Sequence, residues 1–239
     1  GLGDVYKRQG IADLNNNLGI FYRFKGEYEL AINHFFESLR IKQKNNDHEG
    51  VASISNNIGG IYEEMEDPDR ALSYYNQSLH SYELLNDTAN VAKIKMNIGN
   101  TCLLKGLYDS ALLNYYTVLP VFEKKKIFPN LNKIYLNLGE SYEYKHFFDS
   151  AQQYYEDAMN ISISESDDHL YSRASLYMGR LLLQSDSHDQ ALTYLLHAYI
   201  LGEKIDNLRT LRDASELLMD FYTSAGRYDS SSFYAAEYI

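Results

Sequence analysis

Basic side chains recur at a forty-residue spacing in the middle of the chain. This basic ladder consists of Lys93, Lys133 and Arg173. Each of them lies four residues before an amide or aromatic side chain, and this spacing places both on one face of a helix. A row of cations in an acidic protein can hold a carboxylate or an acidic peptide. The alternative is that Glu140 and Glu143 neutralise these cations through internal ion pairs.

An asparagine ladder follows the same forty-residue spacing, four residues further along. It consists of Asn17, Asn57, Asn97 and Asn137, and Tyr177 takes the corresponding place in the fifth repeat. An asparagine side chain both donates and accepts hydrogen bonds, so a row of them can pair with a peptide backbone of any sequence. Alternatively, these side chains bond between neighbouring helices and only stabilise the stacking. The residues by themselves favour neither interpretation.

The sequence contains no constellation typical of a catalytic or metal site. No two of the seven histidines lie three to five residues apart, so there is no helical pair of metal ligands. The Gly59-Gly60 pair is not followed by the Lys-Ser or Lys-Thr of a phosphate-binding loop. The carboxylate pairs Glu63-Glu64 and Asp167-Asp168 are typical of a solvated helix face and a helix N-cap. We therefore predict that the chain is no enzyme and holds neither cofactor nor metal.

Composition narrows the class of partner. The 239 residues include 33 acidic and 22 basic side chains, and the resulting net charge of −11 repels a nucleic-acid backbone. The single cysteine, Cys102, cannot form an intramolecular disulfide and is expected to be a small core residue. No run of 18 apolar residues occurs, so no membrane span is expected in this segment. In a chain of this net charge, local basic patches are the places to look for an acidic or carboxylate-bearing partner. The compartment stays open between cytoplasm and periplasm.

Two helices per forty-residue repeat position these side chains. Apolar residues follow a helical spacing over the first half of each repeat, break at a short turn such as Gly26, and resume in the second half. Each polar turn between repeats offers an N-cap acceptor to the helix that follows: Asn45-Asn46-Asp47, Asn86-Asp87-Thr88, Ser166-Asp167-Asp168 and Asp206-Asn207. These signals predict an all-α fold, a right-handed superhelical solenoid of about six antiparallel helix hairpins.

Small residues recur where the two helices of each hairpin should meet. The packing positions are Gly19, Gly59, Gly99, Gly139 and Gly179 in the first helices and Ala31, Ala71, Ala111, Ala151 and Ala191 in the second. A glycine inside a helix costs roughly 1 kcal/mol relative to alanine. Because this cost recurs five times, we expect it to be offset by close contact between the two helices.

The forty-residue period predicts one continuous array over residues 11–239. Its units cover about 12–47, 48–87, 88–127, 128–167, 168–207 and 208–239, and the last is cut short within its second helix. Residues 1–10 do not share the period and resemble a translated sequencing adaptor, which predicts a non-native leader. We expect the chain to be a fragment of a longer protein.

The repeat unit resembles the tetratricopeptide repeat. The resemblance is carried by Asn17-Leu18-Gly19, Tyr22, Gly26, Tyr28, Ala31 and Phe35 in the first unit, and by Asn97-Ile98-Gly99, Gly106, Tyr108, Ala111 and Tyr115 in the third. A unit of 34 residues with a proline near its end is usual. The longer unit without that proline resembles the forty-residue subclass of kinesin light chains, Pins-type scaffolds and Rap-type bacterial regulators. The sixth unit departs from the pattern, because Met219 and Ser231 replace the glycine and the alanine.

This resemblance implies a concave groove lined by the first helix of each hairpin. The residues expected in this peptide-binding groove are Asn17, Asn57, Lys93, Asn97, Asn100, Lys133, Asn137, Arg173, Tyr177 and Arg180. The Asn-, Tyr-, Ile- and Ser-rich units also resemble the sensory regions of Bacteroidetes-type signalling proteins. The implied function is a peptide- or protein-binding scaffold within a larger bacterial signalling protein. The alternative is a stand-alone cytoplasmic adaptor or a Rap-like, peptide-responsive regulator.

Overall fold

The computed structural model describes residues 2–185 and 187–238, and these residues form helices and turns without any strand. This confirms the all-α prediction. None of the helices in the described residues has both the length and the hydropathy needed to cross a membrane. In this part of the chain the helices are α1 (Leu2–Phe24), α2 (Tyr28–Lys44), α3 (His48–Glu64), α4 (Pro68–Leu84), α5 (Thr88–Leu104), α6 (Tyr108–Lys125), α7 (Phe128–Tyr144), α8 (Phe148–Ser164), α9 (Asp168–Gln184), α10 (His188–Lys204), α11 (Leu208–Ser224) and α12 (Tyr228–Tyr238).

Ten of the described turns contain a residue in the left-handed backbone region one or two positions after the helix ends, and these residues recur at multiples of twenty positions. Gly26, Gly106 and Gly226 have φ angles of 74°, 72° and 69°, the conformation typical of a glycine C-cap. Non-glycine residues such as Asn46 and His146 hold the same conformation at the other turns. The forty-residue period therefore consists of two successive helix-and-turn elements of equal length.

Polar side chains begin the helices that follow the turns between repeats. Asp47, Asp167 and Asn207 each accept a hydrogen bond from a backbone N–H three residues later, at 2.8, 3.0 and 3.3 Å. Asp87 accepts from the backbone N–H groups two and three residues later, at 3.1 and 3.0 Å. Each of the four polar turns therefore supplies the predicted N-cap acceptor. They satisfy backbone donors that have no partner within the helix.

The chain divides into two compact units, Gly1–Val121 and Phe122–Ile239. The division falls inside α6, next to Pro120, which has no N–H to donate to the helix. Within each unit the two helices of a hairpin pack together, and so do the adjoining helices of successive hairpins. The first helices of neighbouring hairpins also contact one another, as α1 and α3 do in the first unit and α7, α9 and α11 in the second. Each unit is thus a stack of helix hairpins.

Each repeated glycine lies against a large side chain sixteen residues later, on the second helix of the same hairpin. The five partners are Phe35, Tyr75, Tyr115, Tyr155 and Leu195. A Cβ on Gly99 would stand 2.7 Å from the Tyr115 ring, which is closer than real Cβ contacts allow. The repeated alanines are fully buried. The glycines thus provide room for a ring or a leucine side chain in the hairpin interior.

A second repeated contact stacks two aromatic rings across a hairpin. Tyr142 stacks on Tyr154 with ring centroids 5.7 Å apart, and Tyr222 stacks on Tyr234 at the same distance. Cys102 takes the place of the first ring in the third hairpin and is buried, as predicted. Burial raises the pKa of its thiol, which keeps it protonated and unreactive.

The two ends of the array depart from the repeat. In residues 2–10, which do not share the forty-residue period, α1 begins at Leu2 and continues into the first repeat without a break, so it is longer than the other first helices. No proline interrupts it, and Gln9 donates a hydrogen bond to Asp47 at 3.3 Å. The origin of this segment stays a prediction. In the sixth hairpin, Ser231 is buried and its hydroxyl lies 3.2 Å from the Met219 carbonyl oxygen.

Candidate functional site

A groove of about 750 Å³ lies in the second unit, and we call it the second-unit groove. It is formed by the first helices of three successive hairpins, α7, α9 and α11, together with the turn before α11. Its lining consists of Lys133, Glu140, His169, Arg173, Leu176, Tyr177, Arg180, Asn207, Arg209, Thr210, Asp213, Glu216 and Leu217.

Helical periodicity explains why these positions share the groove. His169, Arg173, Tyr177 and Arg180 follow an i, i+4, i+8, i+11 spacing, which places them on one face of α9. The residues forty positions later on α11 repeat this face with Arg209, Asp213 and Leu217. The predicted Lys133, Arg173, Tyr177 and Arg180 all line the groove. The sequence therefore placed four of its ten candidate residues at one site.

Three groove cations are available to a ligand. Lys133, Arg173 and Arg209 form neither an ion pair nor a hydrogen bond with any of residues 2–185 and 187–238. Among the acidic side chains of the groove, Asp213 is already held by Arg212, whose Nη2 lies 2.9 Å from its Oδ1. Leu176 and Leu217 add apolar surface beside the cations. The groove can therefore take an anionic group together with an apolar side chain.

Arg180 differs from the other groove cations, because an internal carboxylate already holds it. Its Nε lies 3.1 Å from Glu143 Oε1 and its Nη2 lies 3.0 Å from Glu143 Oε2, a bidentate pair. The guanidinium also packs over the Tyr177 ring, with its Cζ 4.7 Å from the ring centroid. Glu143 thus pairs with Arg180, which is not part of the basic ladder. Lys133 and Arg173 form no such pair within the described residues.

Glu143 is the centre of a buried network that joins α7, α8 and α9. It is 5% exposed and accepts hydrogen bonds from Tyr155 Oη at 2.6 Å and from Gln184 Nε2 at 2.8 Å, besides the two from Arg180. Burial raises the pKa of the Tyr155 hydroxyl, and the negative charge of Glu143 raises it further. Tyr155 therefore stays protonated and keeps donating to Glu143.

Glu140 lies between this network and the groove. Its Oε1 is 3.4 Å from Arg180 Nη2, longer than either Arg180 bond to Glu143. Burial raises the pKa of the Glu140 carboxyl above its usual range, although the charge of Arg180 opposes this shift. Burial thus favours the neutral form of the Glu140 carboxyl.

The asparagine ladder has at least one stacking role. Asn97 on α5 donates a hydrogen bond to Asn56 on α3, at 3.0 Å, so it ties two first helices of the first unit together. Asn100 accepts from Tyr115 Oη at 3.0 Å, within its own hairpin. Asn137 is buried in α7. These contacts favour the stacking interpretation for Asn97 and an internal role for Asn100.

In the first unit, the cavity beside the first helices α1 and α3 is lined by several acidic side chains. Its volume is about 340 Å³, and its lining includes Asp13, Asp47 and Glu49. Lys42 is buried beside it and pairs with Asp13 at 2.8 Å and with Asp47 at 3.1 Å. Three predicted groove residues of this unit also lie at its surface: Asn17 and Lys93, which are exposed, and Asn57, which is half-buried.

Two of the groove residues absent from the predicted list, His169 and Arg209, can carry positive charge. His169 lines the groove and takes part in a hydrogen bond between its Nδ1 and Asn207 Nδ2, 3.2 Å apart. Arg209 supplies the third available cation. The signal was present, since both residues share one register position and precede Arg173 and Asp213 by one helical turn.

Comparison with known proteins identifies the repeat. The family model of the tetratricopeptide repeat matches residues 10–84 and 130–204. The chain belongs to the tetratricopeptide repeat family. A tetratricopeptide repeat is a scaffold for protein interaction, and this agrees with the prediction of a protein or peptide partner. No curated protein sequence matches the chain.

Solved structures of other tetratricopeptide proteins share this fold. The apo form of RapI superposes with a TM-score of 0.76 at 13% identity, over 95% of this chain and 96% of RapI. A Rap protein in complex with Competence and Sporulation Factor superposes with a TM-score of 0.68 at 13% identity, over 94% of this chain and 72% of the Rap protein. A signal-transduction ATPase (STAND protein) with a tetratricopeptide repeat sensor, from Pyrococcus horikoshii, superposes with a TM-score of 0.80 at 15% identity. That match covers 97% of this chain and 36% of the other.

Proposed function

We propose that this chain captures a peptide or protein segment in the second-unit groove, and that the segment bears a carboxylate or other acidic group. The observation that carries the proposal is a set of three groove cations that form no ion pair and no hydrogen bond with the described residues, Lys133, Arg173 and Arg209. Unpaired cations beside apolar surface match an acidic segment with an apolar side chain nearby. A repeat scaffold presents such a segment with several successive helices at once.

We further propose that the array is the sensory or regulatory part of a larger bacterial signalling protein. Two comparisons support this role: the Pyrococcus horikoshii protein carries its repeats as a sensor, and a Rap protein was solved with Competence and Sporulation Factor bound. The alternative is a stand-alone adaptor or a Rap-like regulator, which the good coverage of RapI favours. The sequence of the parent gene distinguishes the two, since a kinase or DNA-binding domain beyond residue 239 supports the first.

Binding of a labelled peptide of alternating glutamate and leucine tests the groove, with fluorescence anisotropy as the measurement. We expect the wild-type chain to bind this peptide and not a lysine–leucine peptide of equal length. Lys133→Glu combined with Arg173→Glu should weaken binding at least about tenfold, because each reversal replaces an attraction with a repulsion.

A matched control is Lys44→Glu combined with Lys124→Glu. Both lysines are exposed and lie outside the groove lining, and the double change alters the net charge equally. We expect it to leave the affinity unchanged at physiological salt, where remote surface charges are screened. Equal loss in both double variants would show a general charge effect and contradict the groove as the site.

A further inference from the structure

Glu140 is one of three carboxylates in the groove lining, together with Asp213 and Glu216. Its side chain is 16% exposed and lines the groove on α7, within the field of Arg173. Arg180, its one ion-pair partner among the described residues, is already engaged in two hydrogen bonds by Glu143. Glu140 therefore acts as a second anion beside a guanidinium whose charge Glu143 already balances.

Charged and titratable groups face Glu140 from three helices. On α9 these are Arg180, Arg173 and Tyr177, on α8 Tyr155, and on α7 itself Glu143 and Lys133. Burial raises the pKa of both tyrosines, so they stay neutral and only donate or pack. Because Glu143 makes the shorter contacts to Arg180, protonation of Glu140 weakens only the longer contact to this guanidinium.

We infer that Glu140 couples anion binding in the second-unit groove to protonation. Its carboxylate takes up one proton from solvent when an anionic group binds beside Lys133 and Arg173. This inference rests on the proposed function. An incoming anion repels the Glu140 carboxylate and competes with it for the field of Arg173. Protonation removes the repulsion. The neutral carboxyl also keeps a hydrogen-bond acceptor for Arg180 and gains an O–H donor for the ligand.

Proton uptake by Glu140 fixes the direction in which the affinity for the anion changes with pH. A bound anion disfavours the charged form of Glu140, so the pKa of this carboxyl is higher in the complex than in the free chain. Affinity for the anion then rises as the pH falls from the bound pKa to the free one. Above both values the affinity is constant and low, since Glu140 is ionised in both states.

Sulfate is a suitable probe, because it remains a dianion over the whole pH range of interest. The full chain is titrated with sulfate against chloride at constant ionic strength, and the side-chain carboxyl resonance of Glu140 is followed by NMR between pH 4 and 8. We expect the titration midpoint of Glu140 to rise in sulfate. We also expect the sulfate affinity to increase as the pH falls through the titration of Glu140.

Two variants isolate the contribution of Glu140. Glu140→Gln should bind sulfate about three- to tenfold more tightly at pH 7, since one unit of pKa coupling corresponds to a factor of ten. Its affinity should no longer depend on pH in this range. Glu216→Gln, which removes an exposed carboxylate from the same groove, should leave the pH dependence in place. Because His169 also lines the groove and can gain a charge, the series is repeated in His169→Gln.

The outcomes separate this inference from the proposed function. Suppose that sulfate binds and that Arg173→Gln abolishes the binding, but that sulfate does not shift the titration midpoint of Glu140 and its affinity does not change with pH. This result overturns the inference and leaves the groove as an anion site. Loss of the pH dependence in His169→Gln alone also overturns it. Failure of sulfate to bind either the wild-type chain or Glu140→Gln contradicts both proposals.

Discussion

The ring of Tyr155 on α8 occupies the space that a side chain on Gly139 of α7 would need, and its hydroxyl donates to Glu143 one turn further along α7. One residue thus joins the packing of the hairpin interior to the polar network beside the groove. Tyr75 repeats this relationship in the first unit, where it covers Gly59 and donates to Glu63 at 2.7 Å. Tyr115 covers Gly99 in the same way.

Substitutions at the glycine and alanine positions should destabilise the hairpins. We expect Gly99→Leu and Ala111→Leu each to cost about 1–3 kcal/mol, because the added atoms must displace Tyr115 or open the buried interface between the helices. Denaturant unfolding measures the loss. Gly10→Ala is the control, since a Cβ there meets no atom within 4 Å, and it should stabilise the chain by up to about 1 kcal/mol. Unchanged unfolding of both leucine variants would contradict the packing of these hairpins.

Removal of the charge on Glu143 should lower the free energy of unfolding more than removal of the charge on Glu140. Glu143→Gln leaves Arg180 without its bidentate partner, and we expect a loss of about 3 kcal/mol in the free energy of unfolding. Glu140→Gln removes only the longer contact to Arg180 and should change stability by less than about 1 kcal/mol. Thermal and urea unfolding at pH 7 compare the two. Equal losses would mean that both carboxylates hold Arg180 alike.

Alkaline pH should destabilise the chain through its buried tyrosines. Burial raises the pKa of Tyr155, and burial together with Glu123 raises the pKa of Tyr135 to about 12. A raised folded-state pKa contributes stability below the unfolded value of about 10, and this contribution is lost as the pH rises toward the folded value. We expect the free energy of unfolding to fall between about pH 10 and 12. Tyr155→Phe should reduce that slope, and an identical slope would contradict the role assigned to burial.

The asparagine ladder offers a separate test of stacking. Asn97→Ala removes the hydrogen bond from α5 to α3 and should cost about 1 kcal/mol in the free energy of unfolding. Asn17→Ala changes an exposed side chain, for which we expect less than about 0.5 kcal/mol. A wild-type unfolding midpoint for Asn97→Ala would show that the contact to Asn56 contributes nothing to stacking.

The site could be predicted only in part from the sequence. Lys133, Arg173 and Tyr177 were identified because their forty-residue spacing is visible without coordinates, and they line the groove. Arg180 was also predicted to line the groove, but its charge is held by Glu143, which lies 37 residues earlier on a neighbouring helix. Arg209 was missed because only one of the six units carries an arginine at its position.

The sequence by itself determined the helices, their turns and their caps. These features depend on residues within about four positions of one another: the i, i+4 spacing of apolar side chains, the glycines at the turns, and acceptors such as Asp47 three residues before the N–H they bind. The tertiary structure alone decided which polar side chains remain available. Whether Arg180 or Arg173 finds a carboxylate depends on distances between helices about forty residues apart, and these distances are set by how the hairpins pack.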